Sequence, residues 1–166
     1  MHTKGHKAAA ILFAAMLMSG SSTSLAADHS LFAGHYTTAS LSAQEQTAGN
    51  LLNSDRQRYG LAPLTLDAAL CRIARIKSMD MRDNQYFSHT SPTYGDVRSM
   101  LQAFGYEYQA ASENIAHHAT VEKAQAAFLS SPGHRKNVLS SAYTKVGLGI
   151  ATDPQGYVYL TQIFVR

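Results

Sequence analysis

Apolar positions recur at helical spacing through most of the chain and at alternate positions near its end. Ala48, Leu51, Leu52 and Tyr59, with Asp55 among them, fall on one side of a helix. Ser42-Ala43-Gln44-Glu45 opens it as a capping box and Gly60 stops it. Pro63 sits in a short connection. A second helix is predicted over residues 67–81, where Leu70, Ala74, Ser78 and Met81 share a face whose small members let another layer approach closely. Cys71 lies beside that face, so a buried structural thiol is expected. Residues 87–94 read as a loop. Val97, Met100, Leu101 and Phe104 mark a third helix closed by Gly105, and residues 112–118 read as loop or short strand. Thr120 caps a fourth helix through Leu129, with Val121, Ala124 and Phe128 inward. Ser131-Pro132 signals a short helix to Leu139, because Pro is well tolerated at the first helical position.

The period then changes. Val146, Leu148 and Ile150 alternate with Gly147, Gly149 and Ala151, and residues 157–165 are rich in β-branched and aromatic side chains. Asp153-Pro154-Gln155-Gly156 between them suits a type I turn, so the end is an antiparallel hairpin. Its glycines leave room for a helix. Helices first and strands last give an α+β class.

The N-terminus follows another logic. Basic residues Lys4 and Lys7 precede an uncharged run over residues 8–18, and Ser24-Leu25-Ala26 supplies a small-x-small cleavage site. Residues 1–26 therefore read as a secretory signal peptide, 27–41 as a linker and 42–166 as the working domain. The apolar run is too short to span a bilayer, which takes roughly 20 residues, so no transmembrane anchor is expected after cleavage. The product is expected to be periplasmic or extracellular. Cleavage removes two lysines and no acid, leaving twelve basic against eleven acidic residues. No Lys/Arg cluster survives, so nucleic acid is not an expected partner. With one cysteine, no internal disulfide staples the fold.

Three segments place ionisable groups among small or turn-forming residues: Phe87-Ser88-His89-Thr90-Ser91-Pro92, Ser112-Glu113-Asn114-Ile115-Ala116 and Ser130-Ser131-Pro132-Gly133-His134-Arg135. Glu113 precedes an apolar pair, which suggests a carboxylate entering a partly buried site. His134 falls in the first turn of its helix, where the dipole favours a neutral imidazole. For any of these residues alone, a capping or backbone-bonding role is the simpler reading. His117-His118 reads as an exposed pair.

Taken in order, the segments resemble a family. Asn53-Ser54-Asp55-Arg56, Gly60-Leu61-Ala62-Pro63-Leu64, Phe87-Ser88-His89, Glu113-Asn114-Ile115-Ala116, Ser131-Pro132-Gly133-His134-Arg135 and Tyr143-Thr144-Lys145-Val146-Gly147 are similar to bacterial members of the CAP superfamily. These are the SCP-like relatives of cysteine-rich secretory, antigen 5 and pathogenesis-related 1 proteins. Tyr159-Leu160-Thr161-Gln162-Ile163-Phe164 completes the resemblance, which covers residues 43–166.

The resemblance implies a three-layer α-β-α sandwich with a small antiparallel sheet between helices and a central cavity. In plant and animal members two His and two Glu line that cavity, and some bind a divalent metal there. His89 and Glu113 match one His and one Glu. The stretch matching the second Glu reads Phe128-Leu129-Ser130-Ser131, and Ala142 stands where the second His precedes Tyr-Thr. His134 is expected to complete a His89/Glu113/His134 triad instead.

Two functions follow as expectations. The first is a ligand-binding or cell-envelope interaction module, with a lipid, a wall polymer or an envelope protein as partner; Tyr86, Tyr94, Tyr106 and Tyr108 are candidate stacking surfaces. The second is a metal-assisted or acid–base hydrolase acting on peptide or cell wall. There His89, Glu113 and His134 serve as catalytic groups or as ligands of a divalent metal such as zinc.

Overall fold

The computed structural model describes residues 41–166. The signal peptide expected at 1–26, and the expected linker up to residue 40, lie outside the described residues. Leu41 packs against the core.

The described residues form five helices and four strands, in the order α1 (Ala43–Arg58), β1 (Thr65–Leu66), α2 (Ala68–Asp83), α3 (Val97–Ala103), β2 (Ala111–His118), α4 (Val121–Ser130), α5 (Pro132–Val138), β3 (Lys145–Thr152) and β4 (Val158–Val165). The capping box forms: Ser42 Oγ accepts from the Glu45 amide at 3.2 Å and the Glu45 carboxylate from the Ser42 amide at 2.9 Å. Asp67, Asp96 and Thr120 cap α2, α3 and α4 through their side chains. Gly60 and Gly105 follow helix ends at φ +71° and +65°, a conformation that suits Gly. Ser131 stands at the N-cap of α5, but its hydroxyl makes no capping bond, so Pro132 carries that start.

The sheet runs β1-β3-β4-β2. The expected hairpin is present, with Leu148 opposite Gln162 and Gly149 opposite Thr161. The structure decides one open reading, loop or short strand, and corrects one expectation. Residues 111–118 form a full eight-residue strand, paired antiparallel to β4 at the sheet edge. The sheet is mixed rather than purely antiparallel, because β1 joins β3 in parallel.

Side chains alternate between the two faces of the sheet. Val146, Leu148, Leu160 and Phe164 pack with Ala48, Leu52, Phe128 and Val138 of α1, α4 and α5. On the other face Ile163 and Val165 pack with Leu70, Ile73 and Ala74 of α2 and Met100 and Leu101 of α3. The helix layers therefore enclose the sheet, as the three-layer expectation requires. A β-carbon on Gly147 would sit 2.3 Å from the Leu70 carbonyl carbon, and one on Gly149 2.0 Å from that of Ala74. Backbone meets backbone there, and α2 lies directly on β3. Cys71 is buried, as expected; burial pushes its thiol pKa up, and its Sγ accepts from the Leu148 amide at 3.3 Å.

Candidate functional site

Strand alternation decides where Glu113 points. It pairs with Ile163, whose side chain belongs to the α2 face, so Glu113 turns toward α2 as well. There it meets His89, carried by the loop after α2: His89 Nδ1 and Glu113 Oε1 are 2.8 Å apart. Glu113 is 8% exposed, whereas the His89 side chain is 57% exposed. The hydrogen bond that His89 donates to Glu113 raises the His89 pKa, against the opposing effects of burial and of Lys77. Glu113 Oε2 is buried and has no protein partner.

The pair rests on a polar network that the sequence reading missed. Lys77 is fully buried, and its ammonium donates to Tyr86 OH and to the His89 carbonyl, each at 3.2 Å. Burial lowers its pKa, while the Glu113 and Asp80 charges hold it up. Asp80 Oδ2 accepts from Ser91 Oγ at 2.7 Å and from Tyr86 OH through a short hydrogen bond. Ser91 Oγ in turn accepts from the amides of Thr93 and Tyr94 at 3.0 and 2.9 Å. The His89 loop is thus fixed to α2 from both sides. The available signal was Lys77 itself: it lies one turn after Ile73 and one before Met81, a core position filled by a cation.

His134 approaches from the other layer. Its ring packs edge-on against Phe128 at 5.2 Å, and its backbone carbonyl accepts from Asn114 Nδ2 at 3.1 Å. Burial lowers its pKa and the nearby His89 charge adds to this, so both favour the neutral ring. The dipole argument reached the same state by a different cause. The structure therefore joins His89 and Glu113 directly and brings His134 within electrostatic reach, with no hydrogen bond from its ring to either. Among the described residues no group of three His, Cys, Asp or Glu side chains is arranged to hold a metal ion.

Asn114 of the same motif has a structural role. Asn137 Nδ2 donates to Asn114 Oδ1, Asn114 Nδ2 to Gln162 Oε1, Gln162 Nε2 to Gln125 Oε1, and Gln125 Nε2 to Asp55 Oδ2, at 2.8–3.1 Å. This buried chain ties α5, β2, β4, α4 and α1 together, and it holds the strand that carries Glu113.

The candidate stacking tyrosines are not a free surface. Tyr94, Tyr106 and Tyr108 pack against the core on the α2–α3 face, and Tyr86 belongs to the Lys77–Asp80 network. His117 is held in β2 by Asp153 at 2.9 Å and stacks on Tyr159 with ring centroids 4.0 Å apart.

Residues 50–164 match the model of the cysteine-rich secretory protein family, CAP. The uncharacterized protein YkwD of Bacillus subtilis is 46% identical over 112 residues, covering 67% of this chain and 44% of YkwD. The uncharacterized membrane protein YlbC of the same organism is 38% identical over 122 residues, covering 70% of this chain and 33% of YlbC. The chain thus spans less than half the length of these relatives. A crystal structure of an extracellular SCP-domain protein from Bacillus anthracis superposes with a TM-score of 0.69 at 38% identity, covering 74% of this chain and 40% of that one. A cysteine-rich secretory protein from Staphylococcus aureus shares the fold, with a TM-score of 0.61 at 22% identity over 74% of this chain and 38% of that one. With most of the chain matched by the family model and the same α+β sandwich in these structures, the chain belongs to the cysteine-rich secretory protein (CAP) family.

Proposed function

We propose that the chain is an exported ligand-binding module whose site is the His89–Glu113 pair, and that it engages a polar component of the cell envelope. One observation carries the reading: Glu113 Oε2 is buried without a protein partner. A buried acceptor left unpaired costs about 1–3 kcal/mol, and more when charged, so a ligand that donates to it gains affinity. Beside it His89, exposed and favoured in its protonated form by Glu113, offers its second ring nitrogen as a donor. A ligand that fits both presents a donor and an acceptor close together, as hydroxyl and amide groups do in a wall polymer, a lipid headgroup or an envelope protein. Export is supported by the basic, apolar and small-residue order of residues 1–26. The Bacillus anthracis relative is described as extracellular, and no helix among the described residues is long and apolar enough to cross a membrane.

Co-sedimentation of the full chain with purified cell-wall sacculi tests the reading. Saturable binding that Glu113→Gln weakens about tenfold, or ~1.4 kcal/mol, supports it; binding unchanged by that substitution removes the pair from the site.

A second reading is acid–base hydrolysis, favoured by the 2.8 Å His89–Glu113 hydrogen bond, which readies His89 as a proton donor. Cleavage of casein or peptidoglycan that disappears in Glu113→Gln would assign catalysis to the pair. Cleavage that persists would place it elsewhere. Zinc titration by calorimetry separates the metal-bound form of either reading: heat present in the wild type and absent in His89→Ala would assign a metal to His89.

A further inference from the structure

The face of β2 that carries Glu113 continues to His117, four residues on and about 13 Å along the strand. His117 is the centre of a group of rings. It stacks on Tyr159 at 4.0 Å and 16°, and it lies 5.6 Å from Tyr157 and 6.5 Å from Phe87. Phe87 is two residues before His89, so the rings form a row from the His89 loop to the β3–β4 hairpin. Phe87 is 52% exposed and Tyr157 46% exposed. They are two of the four large hydrophobic side chains that the described residues leave open to solvent.

The row is mixed in polarity, and its centre is held in place. Asp153 holds the His117 ring at 2.9 Å, and Asp153 also accepts from the Gln155 and Tyr157 amides at 3.0 and 2.8 Å. This fixes the hairpin turn against the end of β2. An acyl chain lying on the row would strand the His117–Asp153 pair and the tyrosine hydroxyls in an apolar contact, which is costly. A single-stranded nucleic acid stacks on rings but also needs cations for its phosphates, and the row contains no Lys or Arg. A pyranose ring meets both demands. Its axial C–H groups lie over the negative face of an aromatic ring, and its equatorial hydroxyls stay at the edge, where polar partners stand.

We propose that the exposed rings of Phe87 and Tyr157, on either side of the His117–Tyr159 stack, form a shelf on which pyranose rings of a polysaccharide stack, one end of the polymer reaching the His89–Glu113 pair. This rests on the ligand-binding reading of that pair and narrows its ligand to a glycan. The shelf gives affinity through ring stacking, and the pair fixes the polymer through a hydroxyl or N-acetyl group.

The test uses N,N′,N″,N‴-tetraacetylchitotetraose as a neutral β-1,4 probe, titrated into the isotope-labelled full chain and followed by NMR. Shifts at Phe87, His117, Tyr157 and Tyr159 are expected, with affinity falling about tenfold in the Phe87→Ala/Tyr157→Ala double variant. Both side chains are exposed, and the amide spectrum of the variant reports its fold. Binding that the double variant retains and Glu113→Gln loses overturns the shelf while leaving the pair as a site. Binding that the double variant loses and Glu113→Gln retains supports the shelf and overturns the pair. Absence of binding at millimolar probe, or shifts at the shelf only with phosphatidylglycerol vesicles, overturns the glycan assignment.

Discussion

At Glu113 two oxygens of one carboxylate meet different surroundings: Oε1 is taken by His89, while Oε2 is buried without a protein partner. The Glu113 hydrogen bond dominates the His89 shift, and the buried charge of Lys77 opposes it. Lys77→Met therefore raises the His89 pKa and Glu113→Gln lowers it, both measurable from the His89 Cε1–H resonance across pH. A downward or absent response in Lys77→Met would contradict the network. Because the folded His89 pKa lies above its ordinary value, the His89–Glu113 interaction adds stability that is fully present below about pH 6.5. That contribution is lost as pH rises through the folded value. His89 and Glu113 were legible in the sequence because each stands out among small or turn-forming neighbours. Lys77 and Asp80 were not singled out, because the tertiary neighbours that neutralise a charge at a core position are not visible in the sequence.

The elements are held close by what they lack. Gly147 and Gly149 allow α2 onto β3 at backbone contact, so Gly149→Ala forces the helix away from the sheet. It should cost about 3 kcal/mol or more in urea denaturation. Gly133 has open space around its position in α5, so Gly133→Ala should instead stabilise by about 0.5–1 kcal/mol. Equal effects from the two substitutions would contradict the close-packing account. Helix starts, helix ends and the final hairpin could be read from caps, glycines and alternation. β2 could be read only as loop or short strand, because the buried Glu113 and Asn114 break its hydrophobic pattern and two histidines end it. The two-residue β1 is too short to show any period, and β3 alone defines it as a strand.

Across the whole molecule the buried chain from Asp55 through Gln125, Gln162 and Asn114 to Asn137 couples both ends of the fold to the site. Gln162→Leu removes the donor to Gln125 Oε1 and one of the two acceptors of Asn114 Nδ2, and should cost about 1–3 kcal/mol in denaturant unfolding. It should also shift the amide resonances of Glu113 and His134, and a change confined to β4 would show that the chain does not transmit. A second long-range tie joins α1 to α2. Burial works against the Glu45 charge, but hydrogen bonds from Arg75 at 2.6–2.8 Å and from Ser42 outweigh it, and the Glu45 pKa is lowered. That stability is present above the ordinary carboxylate pKa and disappears as pH falls through the lowered value. Glu45→Gln should therefore destabilise the protein at pH 7 and much less in strong acid. The central claim is that a ligand binds at the His89–Glu113 pair through the unpartnered carboxylate oxygen. Its most direct test is the His89 titration, followed by NMR with and without soluble fragments released from purified sacculi. A donor on Oε2 weakens the carboxylate's hold on the His89 proton and an acceptor on the second ring nitrogen strengthens it, so the account predicts that the His89 pKa moves on binding. A His89 titration unmoved while fragments perturb other resonances would contradict it.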